Sequence, residues 1–425
     1  MQTNDYPQIG ETLYTETLPN GLTIRVVPKP GFRGCFAAFA TNYGGACRRF
    51  TLDGKRFDTP AGVAHYLEHK MFDLPDGDNA LNMLSANGAD PNAFTGDDMT
   101  CYYFQCTENF EENLRLLLHF VSTPYFTEET VQKEQGIIAQ EIRMGEDDPS
   151  QAILYQLLGQ LYDHHPIRDH VAGTVESIAE ITPELLYDCH RAFYAPSNMC
   201  LAVEGDVDPE RVAAIAREVL PAESLPAPVP DFGGAETMLP METYHKATMA
   251  VSAPQFLIGA KLDPAPAGQA ALRQRLVAQL VLRLLVGSSS PFYTRLYAEG
   301  LLNRDFEYDA EFLAGTGTVF FGGESPEPEK VLEALKEELD RVAREGFEPE
   351  RFERAKRASL GARLRGLEDF GGVCISLASS CFDGYCGLDA IGLLGSVDKA
   401  EAEAFLREQL PVERLAIAIL EPKKD

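Results

Sequence analysis

The feature that most constrains this chain is a pair of histidines four positions apart, His65 and His69, with Glu68 directly before the second. In a helix, residues at i, i+3 and i+4 lie on one face, so all three side chains would point the same way. Two imidazoles with this spacing can bind one zinc ion, and a carboxylate beside them can take a proton from a zinc-bound water. An ordinary amphipathic helix with surface histidines has the same spacing, so this string alone does not decide between the two.

The composition is that of a globular chain. Its 425 residues are 45% hydrophobic and 24% charged, and the length suits two or three domains. The formal charge of −28 disfavours nucleic acid and anionic membrane surfaces as partners, because both are polyanions. The charge is compatible with basic peptides, although it also serves solubility. We expect no membrane span, because no uninterrupted apolar run approaches about 18 residues.

Nine cysteines are scattered along the chain without a CxxC pair, and residues 1–16 lack the basic and apolar pattern of a secretory signal. We therefore expect reduced, mostly buried thiols and a cytoplasmic protein. The remaining histidines carry no ligand pattern. His164 and His165 precede Pro166 in a loop, where a structural role is favoured over metal binding.

The two halves of the sequence show a similar order of elements: strands first, then helices, then a late strand. Between the halves, residues 221–244 contain five prolines and a Gly-Gly pair and lack apolar periodicity, as linkers do. The sequence therefore predicts an α+β fold of two similar domains, over 1–220 and 245–425, each with a sheet packed against helices. Locally, it predicts a polar loop over 48–60 and one strand over about 247–262.

A catalytic zinc site needs three protein ligands and an open position. The helix predicted over 127–149 carries Glu134 and Glu141, which are seven positions apart and share a face beside the apolar stripe of that helix. A carboxylate next to a buried face is costly unless a cation or a hydrogen bond compensates it. Glu134 and Glu141 are therefore candidates for the site, and the alternative is a solvated helix edge.

Five strings follow one another in the first half of the chain: HYLEH (65–69), PNAFT (91–95), the Glu134-x6-Glu141 pair, HHPIRDHVAGTVESI (164–178) and FYAPSNM (193–199). Their combined order resembles the insulinase/pitrilysin family of inverted-motif zinc peptidases. The likeness is greatest to bacterial members of the processing-peptidase-like subgroup, which are built from half-size chains. The resemblance covers about residues 15–210 well and the second half weakly.

The resemblance implies one zinc ion per chain, with His65, His69 and Glu141 as its ligands. It implies that Glu68 is the general base and later the proton donor to the leaving amine. Glu134 matches a carboxylate that orients the site from outside the ligand set.

The resemblance also implies a substrate-binding strand at Asn92, Ala93, Phe94 and Thr95. A peptide would lie there as an added strand at the edge of a sheet. Such main-chain pairing tolerates many sequences and leaves selectivity to side-chain pockets. The alternative is that these residues simply form a core strand.

The second half departs from the family pattern, which has an Arg-x6-Tyr pair that grips the substrate. The matching stretch, 288–303, places Leu296 and Asn303 where Arg and Tyr are expected, and a shifted alignment would bring in Arg304 or Tyr308. We therefore expect the zinc-bearing subunit of a dimer. Its partner would be a homologous chain that supplies the Arg and Tyr, or an identical chain, and each would form half of a clamshell.

The sequence thus predicts a zinc-dependent endopeptidase that cleaves short or unfolded peptides. The competing class is a non-catalytic peptide-binding or scaffolding subunit. Such relatives typically lose motif residues, and this chain retains all of them. A zinc domain without hydrolytic activity would need a fourth protein ligand, for which the sequence offers no patterned candidate.

Overall fold

The computed structural model describes residues 1–423 of the chain, which form two compact units. Unit 1 contains Met1–Ile142, Asp169–Phe232 and Leu364–Leu388. Unit 2 contains Arg143–Arg168, Gly233–Arg363 and the chain from Asp389 onward. Each unit is thus assembled from both halves of the sequence.

The strands of the described residues, in chain order, are β1 (Gln2–Tyr6), β2 (Glu11–Thr17), β3 (Thr23–Pro28), β4 (Cys35–Thr41), β5 (Arg49–Leu52), β6 (Lys55–Asp58), β7 (Ala89–Thr95), β8 (Thr100–Cys106), β9 (Met199–Gly205), β10 (Val229–Pro230), β11 (Tyr244–Met249), β12 (Gln255–Leu262), β13 (Glu307–Glu311), β14 (Gly317–Glu324) and β15 (Ala416–Pro422). The α-helices are α1 (Val63–Lys70), α2 (Ala80–Ala86), α3 (Phe110–Ser122), α4 (Glu128–Glu146), α5 (Pro149–Leu161), α6 (Val175–Ile178), α7 (Pro183–Phe193), α8 (Pro209–Val219), α9 (Gln269–Val286), α10 (Pro291–Ala298), α11 (Pro328–Glu345), α12 (Pro349–Gly366), α13 (Phe370–Phe382), α14 (Ala390–Ser396) and α15 (Lys399–Gln409).

Unit 1 is organised around a seven-stranded sheet in the order β1-β2-β3-β9-β4-β8-β7. Strand β4 is buried along its whole length because both faces of the sheet are covered. Ala37 and Phe39 face one apolar cluster, which includes residues of α1, α3 and α4. Phe36 and Ala38 point the other way, into a cluster with α13, as the alternation of side chains along a strand requires.

Unit 2 contains a five-stranded sheet in the order β11-β15-β12-β14-β13. Strands β11 and β15 are parallel, and the other neighbours are antiparallel. Five strands of unit 1, β3-β9-β4-β8-β7, repeat this strand order and these relative directions, with β3 and β9 parallel. The predicted α+β fold with two sheets of similar plan is therefore confirmed.

The two halves exchange one helix each. Helix α13 belongs to the second half of the sequence but packs on β3, β4 and β9 of unit 1. Helix α5 belongs to the first half but packs on β11, β12 and β15, the equivalent strands of unit 2. The compact units therefore differ from the contiguous domains predicted over 1–220 and 245–425. An apolar stripe on a helix does not encode which of two similar sheets it will cover.

Two local predictions were wrong. Residues 48–60 are not a plain polar loop, because they contain the hairpin of β5 and β6. Asp53 and Gly54 form its tight turn, and both have positive φ angles, 50° and 77°. An Asp-Gly pair between two short strands is a hairpin signal. The single strand predicted over 247–262 is two strands, β11 and β12.

Helices α9 and α10 together form the one helical stretch of residues 1–423 that is long and apolar enough to cross a membrane by length and composition. The most apolar window of this stretch is 67% buried inside the structure. This burial is what the core helix of a folded domain shows.

Candidate metal and active site

The motif helix α1, which carries His65, Glu68 and His69, begins where two backbone segments lie very close together. Gly62 has φ of 97°, and a Cβ atom there would lie 2.5 Å from the carbonyl oxygen of Ala172. Gly173 has φ of 75°, and its Cβ would lie 2.4 Å from the carbonyl oxygen of Ala61. The Ser177 hydroxyl donates to the same Ala61 carbonyl at 2.8 Å. Only glycine fits either position, so these two residues fix where α1 starts.

Helix α4 is attached to α1 by two polar side chains. The Tyr66 hydroxyl donates to the carbonyl of Val131. Lys70, which is fully buried, donates to the carbonyl of Thr130 at 3.2 Å and pairs with Asp73. A buried ammonium needs such partners to offset its lost hydration. These contacts align the first turn of α4 with α1, so that Glu134 and Glu141 on later turns of α4 face His65 and His69.

His65, His69 and Glu141 come together as one candidate metal-binding group, with all ligand atoms within 4.8 Å of one another. Nε2 of His65 lies 3.4 Å from one carboxylate oxygen of Glu141, and Nε2 of His69 lies 3.4 Å from the other. Zinc bonds to nitrogen and oxygen of about 2.0–2.2 Å place tetrahedral ligands about 3.4 Å apart. Two imidazoles and one carboxylate are also a ligand set that zinc uses. The residues therefore fit a zinc ion.

Glu134 contacts the back of one imidazole. Its Oε1 lies 3.1 Å from Nδ1 of His69, which leaves Nε2 of that ring facing Glu141. The other imidazole has no such support, because Nδ1 of His65 is buried without a hydrogen-bond partner among the described residues. The site is therefore asymmetric, with a carboxylate behind only one of the two histidines.

Glu68 lies on the same helix face and is 8% exposed. Its Oε2 accepts a hydrogen bond of 2.7 Å from the hydroxyl of Thr95. The hydroxyl of Thr100 lies 3.3 Å from the Thr95 hydroxyl and also donates to the carbonyl of Tyr43 at 2.8 Å. Glu68 is thus held at one oxygen by the hydroxyl of Thr95, and its charge acts on the imidazole of His69.

Charges and hydrogen bonds within this group raise the pKa of a histidine and lower the pKa values of two glutamates. Burial acts to lower the pKa of His69, but the hydrogen bond to Glu134 and the charges of Glu68 and Glu141 outweigh it, so this pKa is raised. The hydrogen bond with His69 lowers the pKa of Glu134, and the bond with His65 lowers that of Glu141. Both glutamates of α4 are therefore held as carboxylates, which is the form that binds a metal.

The residues Asn92 to Thr95 lie on β7, which among the described strands pairs only with β8 and forms one edge of the seven-stranded sheet. Alternate residues of such a strand direct their N–H and C=O groups away from the neighbour. The N–H of Ala93 donates to the side chain of Asn92 at 2.9 Å rather than to β8, so Ala93 is among the outward-facing residues. Pro91 has no N–H and occupies another outward position, as proline does in edge strands.

The structure adds residues to the site that the sequence did not single out. Thr100 contacts both Thr95 and the carbonyl of Tyr43, and the hydroxyls of Tyr102 and Tyr194 meet 2.8 Å apart with both rings buried near the charge of Glu68. Pairing of β7 with β8 brings Thr95 opposite Thr100. The turn residues Gly96, Asp97 and Asp98 between these two strands are the one sequence signal that could have found Thr100.

One further histidine lies close to the group: the charge of His170 contributes to the low pKa of Glu141. In contrast, His165 is in unit 2, where its Nε2 lies 3.0 Å from the carbonyl of Ala314.

The positions that align with the family's Arg and Tyr are in unit 2. Leu296 is 1% exposed and belongs to the buried side of α10. Asn303 donates to the Glu324 carboxylate at 3.4 Å. Tyr308 is on the edge strand β13, and its hydroxyl would lie 3.0 Å from a Cβ atom built on Gly287. Neither aligned position carries a side chain that could replace an exposed arginine or tyrosine.

Two family descriptions match the chain. Residues 53–175 match the Insulinase (Peptidase family M16) domain, and residues 180–359 match the Peptidase M16 inactive domain. The first match contains the motif helix and α4, and the second contains most of the C-terminal half.

The chain is also similar to whole proteins. It is 36% identical over 425 residues to "Uncharacterized zinc protease YmfH" of Bacillus subtilis (strain 168), covering 99% of each chain. A solved structure of an M16-like peptidase from Alicyclobacillus acidocaldarius has a TM-score of 0.94 at 32% identity, over 99% of this chain and 100% of that one. Pitrilysin shares the fold, with a TM-score of 0.78 at 16% identity over 100% of this chain and 46% of its own. The chain belongs to the insulinase family, peptidase family M16.

Proposed function

We propose that this chain is a zinc-dependent endopeptidase that cleaves short or unfolded peptides. The observation that carries the proposal is the convergence of His65, His69 and Glu141 within 4.8 Å, next to the restrained carboxylate of Glu68. Two similar proteins are named zinc proteases, which supports the proposal. His65, His69 and Glu141 would hold one zinc ion per chain.

Bound zinc supplies a Lewis acid that makes a water molecule more acidic and stabilises negative charge on a substrate oxygen. Glu68 would take a proton from the attacking water onto its carboxylate and then donate it to the amine that leaves. The hydroxyl of Thr95 would hold one oxygen of Glu68, so that the other is free for the proton. Glu134 would fix the ring of His69 with Nε2 toward the metal.

The edge strand β7 would hold the substrate. A peptide laid antiparallel or parallel along its open edge could pair with the main chain of Ala93 whatever its side chains. Phe94 and Asn92 would contact side chains of the peptide. Such pairing requires an extended segment, which supports short or unfolded peptides as substrates.

We further propose that the chain works as the catalytic subunit of a dimer. Its length is about half that of pitrilysin, since it spans 46% of that chain. Leu296 and Asn303 occupy the positions of the expected Arg and Tyr, which supports a homologous partner that supplies them. An identical partner is the alternative. The nine cysteines of the described residues are all free, which supports a reducing compartment such as the cytoplasm.

The competing function is a non-catalytic peptide-binding or scaffolding subunit of a processing-peptidase-like complex. Cleavage of a quenched mixed-peptide library by the purified chain, with stoichiometric zinc, separates the two. We expect cleavage that a chelator abolishes and added zinc restores. The assay is run with the chain alone and again with its co-purifying proteins added back. Activity of the chain alone would contradict the need for a heterologous partner, and zinc binding without cleavage in either arm would favour the scaffold.

A further inference from the structure

Unit 2 contains a counterpart of the place where unit 1 builds its candidate metal site. Two helices precede the edge strand of each sheet, α1 and α2 before β7, and α9 and α10 before β13. After the next strand, the chain continues with α3 and α4 in the first half and with α11 and α12 in the second. The counterparts of α1, α4 and β7 are therefore α9, α12 and β13.

These three elements of unit 2 line a cavity of about 360 Å³. Its polar lining consists of Gln279 and Arg283 of α9, Ser359 and Arg363 of α12, and Tyr308 of β13. No carboxylate of the described residues is in the lining, although the chain has 65 acidic residues against 37 basic ones. Unit 1 gathers groups that bind a cation at this place, and unit 2 gathers groups that bind an anion.

The guanidinium of Arg283 has little of its hydrogen-bonding capacity used by the protein. Its Nη1 donates to the Ser359 hydroxyl at 3.5 Å, which is a long hydrogen bond. Within residues 1–423 the side chain makes no ion pair with a carboxylate. Arg283 is also partly buried. A partly buried charge without a counterion is costly, and a bound anion would offset that cost.

The hydroxyl of Tyr308 is a second donor without a partner. It lies beside the end of α9, where a Cβ atom built on Gly287 would be 3.0 Å from it. It makes no hydrogen bond to any residue that the structure describes. Burial raises the pKa of Tyr308, and the charge of Arg283 acts against this without reversing it. The hydroxyl therefore keeps its proton at neutral pH and can donate it to an anion.

The remainder of the cavity has a different chemical character. Arg363 lines it and donates to the side-chain oxygen of Gln279, which holds this second guanidinium in place. Beyond these groups the wall is aliphatic, with the buried side chains of Leu276, Leu280 and Leu394. A ligand that satisfies both parts has an anionic group for the guanidiniums and an aliphatic body for the leucines. A bare inorganic anion would leave the leucines uncovered.

We propose that this cavity of unit 2 binds an aliphatic carboxylate. Arg283 and Arg363 would pair with the carboxylate, the Tyr308 hydroxyl would donate to it, and the leucines would surround the aliphatic part. A free branched-chain acid and the C-terminal residue of a peptide both offer this chemistry. The site requires neither zinc nor Glu68, so the proposal stands apart from peptide cleavage in unit 1.

Isothermal titration calorimetry of the full chain with N-acetyl-leucine tests the proposal, and N-acetyl-leucinamide is the neutral probe of matched size. We expect saturable binding of the acid and at least about tenfold weaker binding of the amide, because the guanidiniums would lack their anion. Arg283→Gln should weaken binding of the acid by at least about tenfold. Arg357→Gln is the matched control, since Arg357 is exposed on the same helix, α12, and it should bind as the unaltered chain does. Equal affinity for acid and amide, or unchanged affinity in Arg283→Gln, would overturn the proposal.

Two further variants separate lost recognition from lost folding. Arg283→Lys keeps the charge without the planar fork, so it should bind the acid more tightly than Arg283→Gln and more weakly than the unaltered chain. Tyr308→Phe keeps the ring and should weaken binding about fivefold through loss of one hydrogen bond. Melting temperatures close to that of the unaltered chain would show that each variant is folded. Equal affinities of the lysine and glutamine variants would contradict a role for the charge.

Three more titrations identify the source of the carboxylate. Tighter binding of isocaproate than of N-acetyl-alanyl-leucine would identify a free acid as the ligand. Tighter binding of N-acetyl-alanyl-leucine would identify the end of a peptide. Inorganic phosphate is the third probe, and phosphate binding as tight as that of N-acetyl-leucine would overturn the assignment to an aliphatic carboxylate.

Discussion

The imidazole of His69 lies between two carboxylates of one helix, with Nδ1 3.1 Å from Glu134 and Nε2 3.4 Å from Glu141. The two glutamates are seven residues apart on α4 and therefore lie on one face, two turns from each other. This arrangement gives the ring one orientation. It also makes Glu134 a residue that acts on the metal site only through His69.

The first prediction concerns Glu134. Replacing it with alanine should weaken zinc binding by about 10- to 100-fold, because a carboxylate behind a ligand histidine orients the ring and raises its basicity. Isothermal titration calorimetry of the metal-free protein measures this directly. Glu129→Ala is the control, since Glu129 is an exposed residue in the first turn of the same helix. Equal zinc affinity of the two variants would show that Glu134 does not support the site.

The second prediction concerns pH. Zinc must displace the proton of His69, whose pKa is raised, while the lowered pKa values of Glu134 and Glu141 keep both carboxylates charged. Zinc affinity should therefore fall as the pH drops through the raised pKa of His69, by up to about tenfold per pH unit for one proton. In Glu134→Ala the fall should begin at lower pH, because the hydrogen bond that raises the pKa is absent. A competition assay with a chromophoric chelator between pH 5.5 and 8 tests this, and an affinity independent of pH would contradict it.

The same pKa shifts determine how the metal-free site affects folding stability. The raised pKa of His69 gives stability that is present at low pH and is lost as the pH rises through that pKa. The lowered pKa values of the two glutamates give stability that is lost as the pH falls through them. The metal-free site should therefore contribute most between the carboxylate and imidazole values.

The third prediction concerns the hydroxyl of Thr95. Thr95→Val keeps the shape of the side chain but removes the 2.7 Å hydrogen bond to Glu68. A hydrogen bond to a charged group is worth about 1.5–3 kcal/mol, so we expect kcat to fall by about 10- to 100-fold with zinc content unchanged. Thr95→Ser retains the hydroxyl and should keep most of the activity. Similar rates for the valine and serine variants would show that this bond does not position Glu68.

The fourth prediction concerns the open edge of β7. Ala93→Pro removes an outward-facing N–H without changing the pairing with β8, since proline is tolerated at such positions. The loss of one main-chain hydrogen bond to a peptide, about 1 kcal/mol, should raise KM about fivefold. Ala93→Ser, which keeps the N–H, is the control for a change of side chain. A KM that stays the same in the proline variant would argue against strand addition at this edge.

Sequence periodicity was sufficient to predict which side chains share a face on the two helices of the site. The i, i+3, i+4 spacing of His65, Glu68 and His69 and the i, i+7 spacing of Glu134 and Glu141 each define a helix face. A helix face is a local property, so the sequence alone predicts it. Bringing the two faces together depends on tertiary contacts, such as the close approach at Gly62 and the bond from Tyr66 to α4, which no local pattern shows.

The role of Thr95 shows the same limit. The sequence placed it among residues that contact substrate, and the structure shows its hydroxyl on Glu68, which stays compatible with a peptide bound along the strand. The sequence also could not predict that α5 and α13 each pack on the sheet of the other half. Each helix has an apolar stripe, and both sheets offer the same strand order to receive it.

The central claim is that Glu68 transfers the proton in a zinc-dependent cleavage. The most direct test compares the unaltered chain with Glu68→Gln, both loaded with stoichiometric zinc, on the quenched peptide library, in the presence of the partner if one proves necessary. We predict that Glu68→Gln binds zinc with unchanged stoichiometry and loses turnover by at least about a hundredfold, the scale of general base catalysis. Cleavage at the unaltered rate by the zinc-loaded variant would contradict the account.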